Sequence, residues 1–557
     1  MNNIKIFFSA SIIMSLFGCG LEKMASNYDK VVYDQSPAVL EVHGGNVAIN
    51  LSGSFPEKYF DKKATVEITP VIIDENGVES KLKSIILQGE QATGGETTIF
   101  FESGGEFTYI DEIKYVDGMN TSILELRAIA TLEDDNKVLG PITIATGVIS
   151  TSLRVENNEI IAVGDHGYEE ETIISETATI YFLVNKSNIR TTEKSDADVK
   201  KLQDFIKLGY ETESFVVKSS ASPEGKDKTN TELSDDRKNS TLSYAKYLLK
   251  RLKADGASDS ENYNLSSAGA DWNGFNELVE NSTIVEKSTI LSLSNRNKEK
   301  TQKERGELLQ DMSQVYDALE ADVLQYLRKS EITINSFEPK KTREEIVLLS
   351  KTNCSELSVD ELLYSATLEE NSDNSLSIYN TVIDLHNDWR AYNNIAAEYL
   401  NNGDSENAMI YLQDAIKNGG ANESVVLTNL GIIASWNGKL NKAQKCFDRA
   451  NTNSTNQAIL DIRQGNYRSA TGILRGNSYN ATLASILNGN NNSTCNDNTA
   501  ACYYLNAIAG ARAGNETMLF TNLEKAIQNS ELYKVEALRD LEFANYRDNE
   551  KFISLIK

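Results

Sequence analysis

The sequence predicts a multidomain chain of three successive fold types: a β-sandwich, then an α/β sandwich, then an α-helical solenoid. Three observations carry this. Short β-branched segments alternating with period two fill residues 30–155; strands and amphipathic helices alternate over 170–338; helical patterns with an internal offset of 35 residues occupy 340–557. The 557 residues are several times the roughly 150 of a typical domain. The 40% hydrophobic and 24% charged residues are an ordinary globular balance. The formal net charge is −26. Sequence-independent nucleic-acid affinity needs clustered Lys and Arg, so binding to DNA or RNA is not expected. The three histidines, His43, His166 and His386, lie far apart, and neither a metal site nor a cofactor is expected.

The N-terminus has the form of a secretory signal. Lys5 supplies the positive region, and Ile6–Phe17 an apolar run too short to span a bilayer comfortably. It ends in Leu16-Phe17-Gly18-Cys19, which resembles the lipobox of bacterial lipoproteins: a Leu at −3 and a small residue at −1 before the Cys. The resemblance implies that 1–18 is a signal peptide and that Cys19 carries the covalent lipid. Residues 19–29 would then form a lipidated linker to the membrane. Gly20, Leu21, Glu22 and Lys23 lack both the aspartate of inner-membrane retention and the acidic run of surface export. An outer-membrane anchor with a periplasm-facing body is therefore expected. The remaining cysteines are too few for a disulfide framework. An oxidising compartment would permit Cys495–Cys502; buried single thiols are the alternative.

Within 30–155, strands are expected at Val39–His43, Val47–Leu51, Ala64–Val71, Leu82–Leu87, Thr97–Phe101, Ile123–Leu132 and Ile142–Val155. Gly44-Gly45, Glu75-Asn76-Gly77, Gly94-Gly95, Gly104-Gly105 and Asp117-Gly118 separate them as turns. Nothing here groups nucleophile, base and oxyanion donors, so a spacer or docking role is expected.

Over 170–338 the predicted order is strand Thr179–Val184, helix Asp196–Leu208, strand Ser214–Lys218, helix Asp235–Leu252 and strand Tyr263–Gly269. A charged helix over 299–327 and a closing strand Ser330–Phe337 follow. Such alternation places helices on one face of a mixed sheet. The run Ser219-Ser220-Ala221-Ser222-Pro223-Glu224-Gly225, followed by Asn230, Leu233, Ser234 and Arg237, resembles the OmpA C-terminal-like domain. That family carries Asn-x-x-Leu-Ser-x-x-Arg-Ala at its second helix; Lys238 stands here at the Ala position. The resemblance implies peptidoglycan binding, with a loop Asp and the helix Arg clamping diaminopimelate. An Arg fork suits the ligand carboxylate. The loop position of that Asp holds Ser222, whose hydroxyl offers no ion pair, and Glu224 or Asp271 could replace it. The candidate ligand residues are Ser222, Glu224, Asn230, Arg237 and Asp271. The alternatives are a retained fold with a protein partner, and an Arg237 that only pairs locally. The Ala-Ser-Pro-Glu-Gly variant, Gly269–Phe275 and Tyr326–Ile332 are similar to a subgroup of OmpA-like lipoproteins.

From 340 onward, Gly403, Ala408 and Ala415 recur as Gly438, Ala443 and Ala450, and Asn394 as Asn429, each 35 residues on. With Trp436 and Phe447 the pattern resembles the tetratricopeptide repeat, whose stacked helix pairs form protein-binding surfaces. The resemblance implies that Gly ends the first helix and small Ala positions let two helices approach. A degenerate unit carries Gly465 and Ala470; Asn488–Asn498 reads as a polar loop.

These readings converge on a non-enzymatic outer-membrane lipoprotein acting as adaptor or scaffold. Its expected partners are an outer-membrane protein assembly, secretion or export complex, with peptidoglycan as a further contact. The alternatives are a surface-exposed lipoprotein handling nutrients or host contacts, and an envelope hydrolase. No Gly-x-Ser-x-Gly elbow, His-Glu-x-x-His helix or P-loop supports the last.

Overall fold

The computed structural model describes residues 18–224, 227–296, 304, 307 and 313–557. The signal residues 1–17, Gly225 and most of the charged run over 299–312 lie outside them. Two compact units result: Met1–Asp165 with Glu370–Lys557, and His166–Glu369. Among the described residues no helix is long and apolar enough to cross a membrane.

The strand-rich part of the first unit is two sheets facing across one core. The five-stranded sheet contains Val32–Gln35, Asn46–Phe55, Leu40–His43 and Val148–Ile149, with Gly105–Lys114 paired to Asn46–Phe55. The six-stranded sheet runs through Asp135–Thr146, Ile123–Leu132, Thr65–Ile73, Ile85–Gly89 and Thr97–Ile99, with Glu79–Lys81 paired to Thr65–Ile73. Period-two alternation sets the faces: Val47, Ile49, Leu51 and Phe55 of one sheet meet Leu124, Leu126, Ala128 and Ala130 of the other. Pro141 cannot donate to a ladder, and the register shifts between Leu139 and Ile142 on this edge strand.

Three expectations change here. Residues 19–29 are not a free linker: the helix Gly18–Ser26 sinks Leu21 and Met24 into the sandwich core, and the Tyr59 hydroxyl donates to the Met24 carbonyl at 2.9 Å. The strand Gly105–Lys114 is additional. The strand expected over Ile142–Val155 starts at Asp135 and stops at Thr146; past Leu153 the chain carries no regular element as far as Asp165.

In the second unit the sheet order is Ile173–Tyr181, Lys329–Phe337, Thr212–Ala221, Tyr263–Ala270. The last strand lies between the first two and is antiparallel to both, while Thr212–Ala221 and Tyr263–Ala270 run parallel. Ala178, Ile180, Phe215, Val217, Ile332 and Ile334 share one face under the helices Ala197–Lys207 and Asp227–Leu252. The latter begins eight residues before the expected Asp235, so Asn230 and Arg237 lie inside it. Helices Trp272–Asn281 and Lys287–Arg296, with the turns over 313–327, build a second small core around Phe275, Val279, Ile290 and Leu319. The helices Arg343–Thr352 and Val359–Thr367 also belong to this unit.

From Ser372 the first unit continues as antiparallel helix pairs, among them Trp389–Asn401 with Ser405–Lys417, Ser424–Trp436 with Leu440–Ala450, Ser454–Arg463 with Tyr467–Ile473, and Ala500–Arg512 with Glu516–Asn529. Gly403, Gly438, Gly465 and Gly514 follow the first helix of these pairs at φ +75°, +67°, +83° and +67°, the left-handed geometry glycine adopts without strain. Ala408, Ala415, Ala443 and Ala450 are buried where the helices close on one another.

Candidate functional site

In the second unit, Arg237 is 1% exposed on the helix Asp227–Leu252. Its fork ends on backbone: Nε donates to the Lys186 carbonyl at 3.1 Å, Nη1 to Ser220 at 3.0 Å and Nη2 to Leu183 at 3.4 Å. The guanidinium carbon lies 5.3 Å from the Phe182 ring centroid. Burial, then the positive charge of Arg328, pulls its pKa down to about 10, with Glu224 acting the other way. Arg328, equally hidden at 3% exposure, donates from Nε to Ser222 Oγ at 3.1 Å, lies 3.4 Å from Glu224 Oε1 and pairs with Glu320. The Ser222 hydroxyl donates to Glu224 Oε1 at 2.5 Å.

Ser222 and Glu224 meet around an Arg328 that sequence reasoning did not include in the site, and Arg237 donates to the carbonyl of Ser220 close by in the chain. Glu224 Oε1 faces both Arg328 and the Ser222 hydroxyl. Asp271 is drawn near, its N–H donating to the Ala221 carbonyl at 2.9 Å, but its carboxylate caps the helix Trp272–Asn281 by accepting from the Gly274 N–H at 2.8 Å. Asn230 is buried at 3% on the same helix as Arg237. The neighbouring Ser234 hydroxyl accepts from the Gly269 N–H at 3.2 Å, tying the helix to the end of the strand Tyr263–Ala270.

The first unit holds a more elaborate arrangement. Residues 156–164 run along the first helices of the repeats, held by a ladder of asparagines, with a tight turn at Asn157 where the Asn158 N–H donates to the Glu156 carbonyl at 3.0 Å. Asn394 Oδ1 accepts from the Gly164 N–H at 2.7 Å, and its Nδ2 donates back to the Gly164 carbonyl at 3.2 Å. Asn429 grips Ala162 likewise at 2.9 and 2.7 Å, and Asn456 grips Ile160 at 2.6 and 2.9 Å. Asn480 grips Glu156 at 3.0 and 2.9 Å and also donates to Asn158 Oδ1 at 2.6 Å. All four amides are at most 3% exposed. Each supplies one acceptor and one donor, the pair that an N–H and C=O on one edge of an extended residue require. A fifth, Asn506, makes the same double bond to Cys495, at 2.8 and 3.0 Å.

Side chains add to the grip. The Glu159 carboxylate is fully buried. It accepts from Trp436 Nε1 at 2.7 Å, from Ser435 Oγ at 3.4 Å and from Arg463 Nη2 at 3.3 Å. Burial pulls the Arg463 pKa down and the Glu159 charge opposes it. Ile161 packs against the cores of two successive helix pairs. Ile160, of opposite parity to Glu159 and Ile161, is 53% exposed, and so is Val163.

Sequence reasoning missed this groove as a site. The spacing of Asn394 and Asn429 is visible in the sequence as periodicity alone, and Trp436 as part of the repeat pattern. The bridge left open does form: Cys495 and Cys502 are disulfide-bonded, with Cα atoms 5.5 Å apart.

Residues 390–418 match the family model of the tetratricopeptide repeat, the pair that carries Asn394 and Gly403. No curated protein matches the chain. The helical array is therefore similar to tetratricopeptide repeats, which mediate protein–protein interaction and scaffolding.

Proposed function

We propose that this chain is a non-enzymatic, lipid-anchored adaptor of the bacterial envelope. Cys19 holds it to the outer membrane with its body in the periplasm. Its repeats and α/β unit join an outer-membrane assembly, secretion or export complex to the envelope. The observation that carries the adaptor reading is the asparagine ladder, a groove that holds polypeptide through its backbone. The lipobox-like Leu16-Phe17-Gly18-Cys19 supports the anchor, and the Cys495–Cys502 bridge fits an oxidising compartment.

Protein docking is favoured over a wall tether for the α/β unit. A diaminopimelate clamp needs an accessible Arg fork, whereas Arg237 is 1% exposed and each of its three nitrogens donates to a carbonyl of its own chain. Two measurements test the proposal. In cells fed a labelled fatty acid, the wild-type chain is expected to take up label and fractionate with outer membranes, and Cys19→Ser to do neither; an unlabelled wild type sinks the anchor. The purified chain from Cys19 onward is expected not to sediment with peptidoglycan sacculi. Saturable sedimentation lost in Arg237→Lys, with helicity intact, would make it a wall tether.

A further inference from the structure

Asparagine amides read a backbone edge and are indifferent to sequence. The other contacts of the groove are selective. At one position a buried carboxylate meets an indole N–H, a hydroxyl and a guanidinium; two residues on, an aliphatic side chain fills a seam between helix pairs. In an extended chain, residues two apart point to the same side, so one strand presents both at once. We propose that the repeat groove is a receptor site for an extended peptide of the pattern acidic–x–aliphatic. Residues 156–164, carrying Glu159 and Ile161, are its resident ligand, and the site takes such a peptide from another chain only when its own segment is displaced.

The closed state follows from connectivity. The segment is continuous with the sandwich that precedes it, so its local concentration at the groove is that of a short tether, in the millimolar range or above. A free peptide at micromolar concentration cannot compete. The inference rests on the groove alone and holds wherever the protein resides.

The test uses the full chain and a fluorescent synthetic peptide of residues 154–166. The wild-type chain is expected to show no saturable binding. A chain carrying Glu159→Lys and Ile161→Asp, which weakens its own segment, is expected to bind the peptide. Adding Asn429→Ala and Asn456→Ala should abolish that binding, and a peptide carrying Glu159→Lys should fail throughout. Wild-type binding as tight as the variant's would overturn the closed groove. Absence of binding to a weakened-segment chain with native circular dichroism would overturn the receptor. Hydrogen exchange on the unmodified chain checks the resident ligand separately. The amides of Ile160, Ala162 and Gly164 should exchange at least about 100-fold slower than in the free peptide; exchange within about twofold of it would refute the assignment.

Discussion

At the residue scale, each rung of the ladder couples two buried backbone groups to one side chain. Asn429→Ala strands the Ala162 N–H, while the Ala162 carbonyl keeps the Asn393 Nδ2 donor at 3.1 Å; an unsatisfied group of this kind costs about 1–3 kcal/mol. The expected loss of stability is therefore about 1–3 kcal/mol, read as a lower denaturant midpoint. Gly431 is constrained by contact: a Cβ there would lie 2.4 Å from the Phe447 ring. Gly431→Ala is expected to cost about 1–3 kcal/mol by overpacking, and Phe447→Leu in the same chain should recover part of it, since neighbouring sites couple. Arg237 was legible as a special residue, because an Arg at that point of the helix motif is chemically conspicuous. Its actual partners, the carbonyls of Leu183 and Lys186 in the loop after the strand Ile173–Tyr181 and of Ser220 in the strand Thr212–Ala221, were not; backbone acceptors carry no signature in the sequence.

At the element scale, the loop before the helix Ala500–Arg512 is held twice, by the Cys495–Cys502 bridge and by the double bond of Asn506 to Cys495. Closing so short a loop is worth about 2–3 kcal/mol in the chain-entropy account. Reduction should lower the thermal midpoint of the array, and Cys495→Ser with Cys502→Ser should show the same midpoint with and without reductant. An unchanged midpoint on reduction of the wild type would count against this. Most elements were readable because their periods are clean: the strand Ile123–Leu132 buries Leu124, Leu126, Ala128 and Ala130 in strict alternation. Gly105–Lys114 escaped notice because only Phe107 and Tyr109 are fully buried, and its charged residues resemble a loop.

At the scale of the whole molecule, buried phenols set the alkaline limit. Burial raises Tyr504, Tyr479 and Tyr59 above the ordinary tyrosine pKa. Groups raised in the folded state stabilise it fully below the unfolded value, about 10, and lose that contribution as pH climbs toward the folded values. Stability to denaturant is expected to stay nearly level to about pH 9 and to fall steeply beyond 10. A profile that stays level through pH 11 would contradict it. The net charge of −26 adds self-repulsion, so added salt should raise the midpoint at pH 7.

The sequence by itself determined the element types, the order of fold types along the chain, the glycine stops of the repeats and the likeness of residues 390–418 to a tetratricopeptide repeat. These depend on neighbours within about one repeat, where period and turn chemistry are read directly. Only the tertiary structure decided that the sandwich and the repeats share one compact unit, although residues 166–369 of a separate unit interrupt them in the chain. It alone showed that residues 156–164 lie in the repeat groove, 230 residues from the Asn394 that grips Gly164. The physical reason is that an asparagine able to bind any backbone names no partner. Which strand it holds is settled by where the folded chain brings an extended edge within about 3 Å of it.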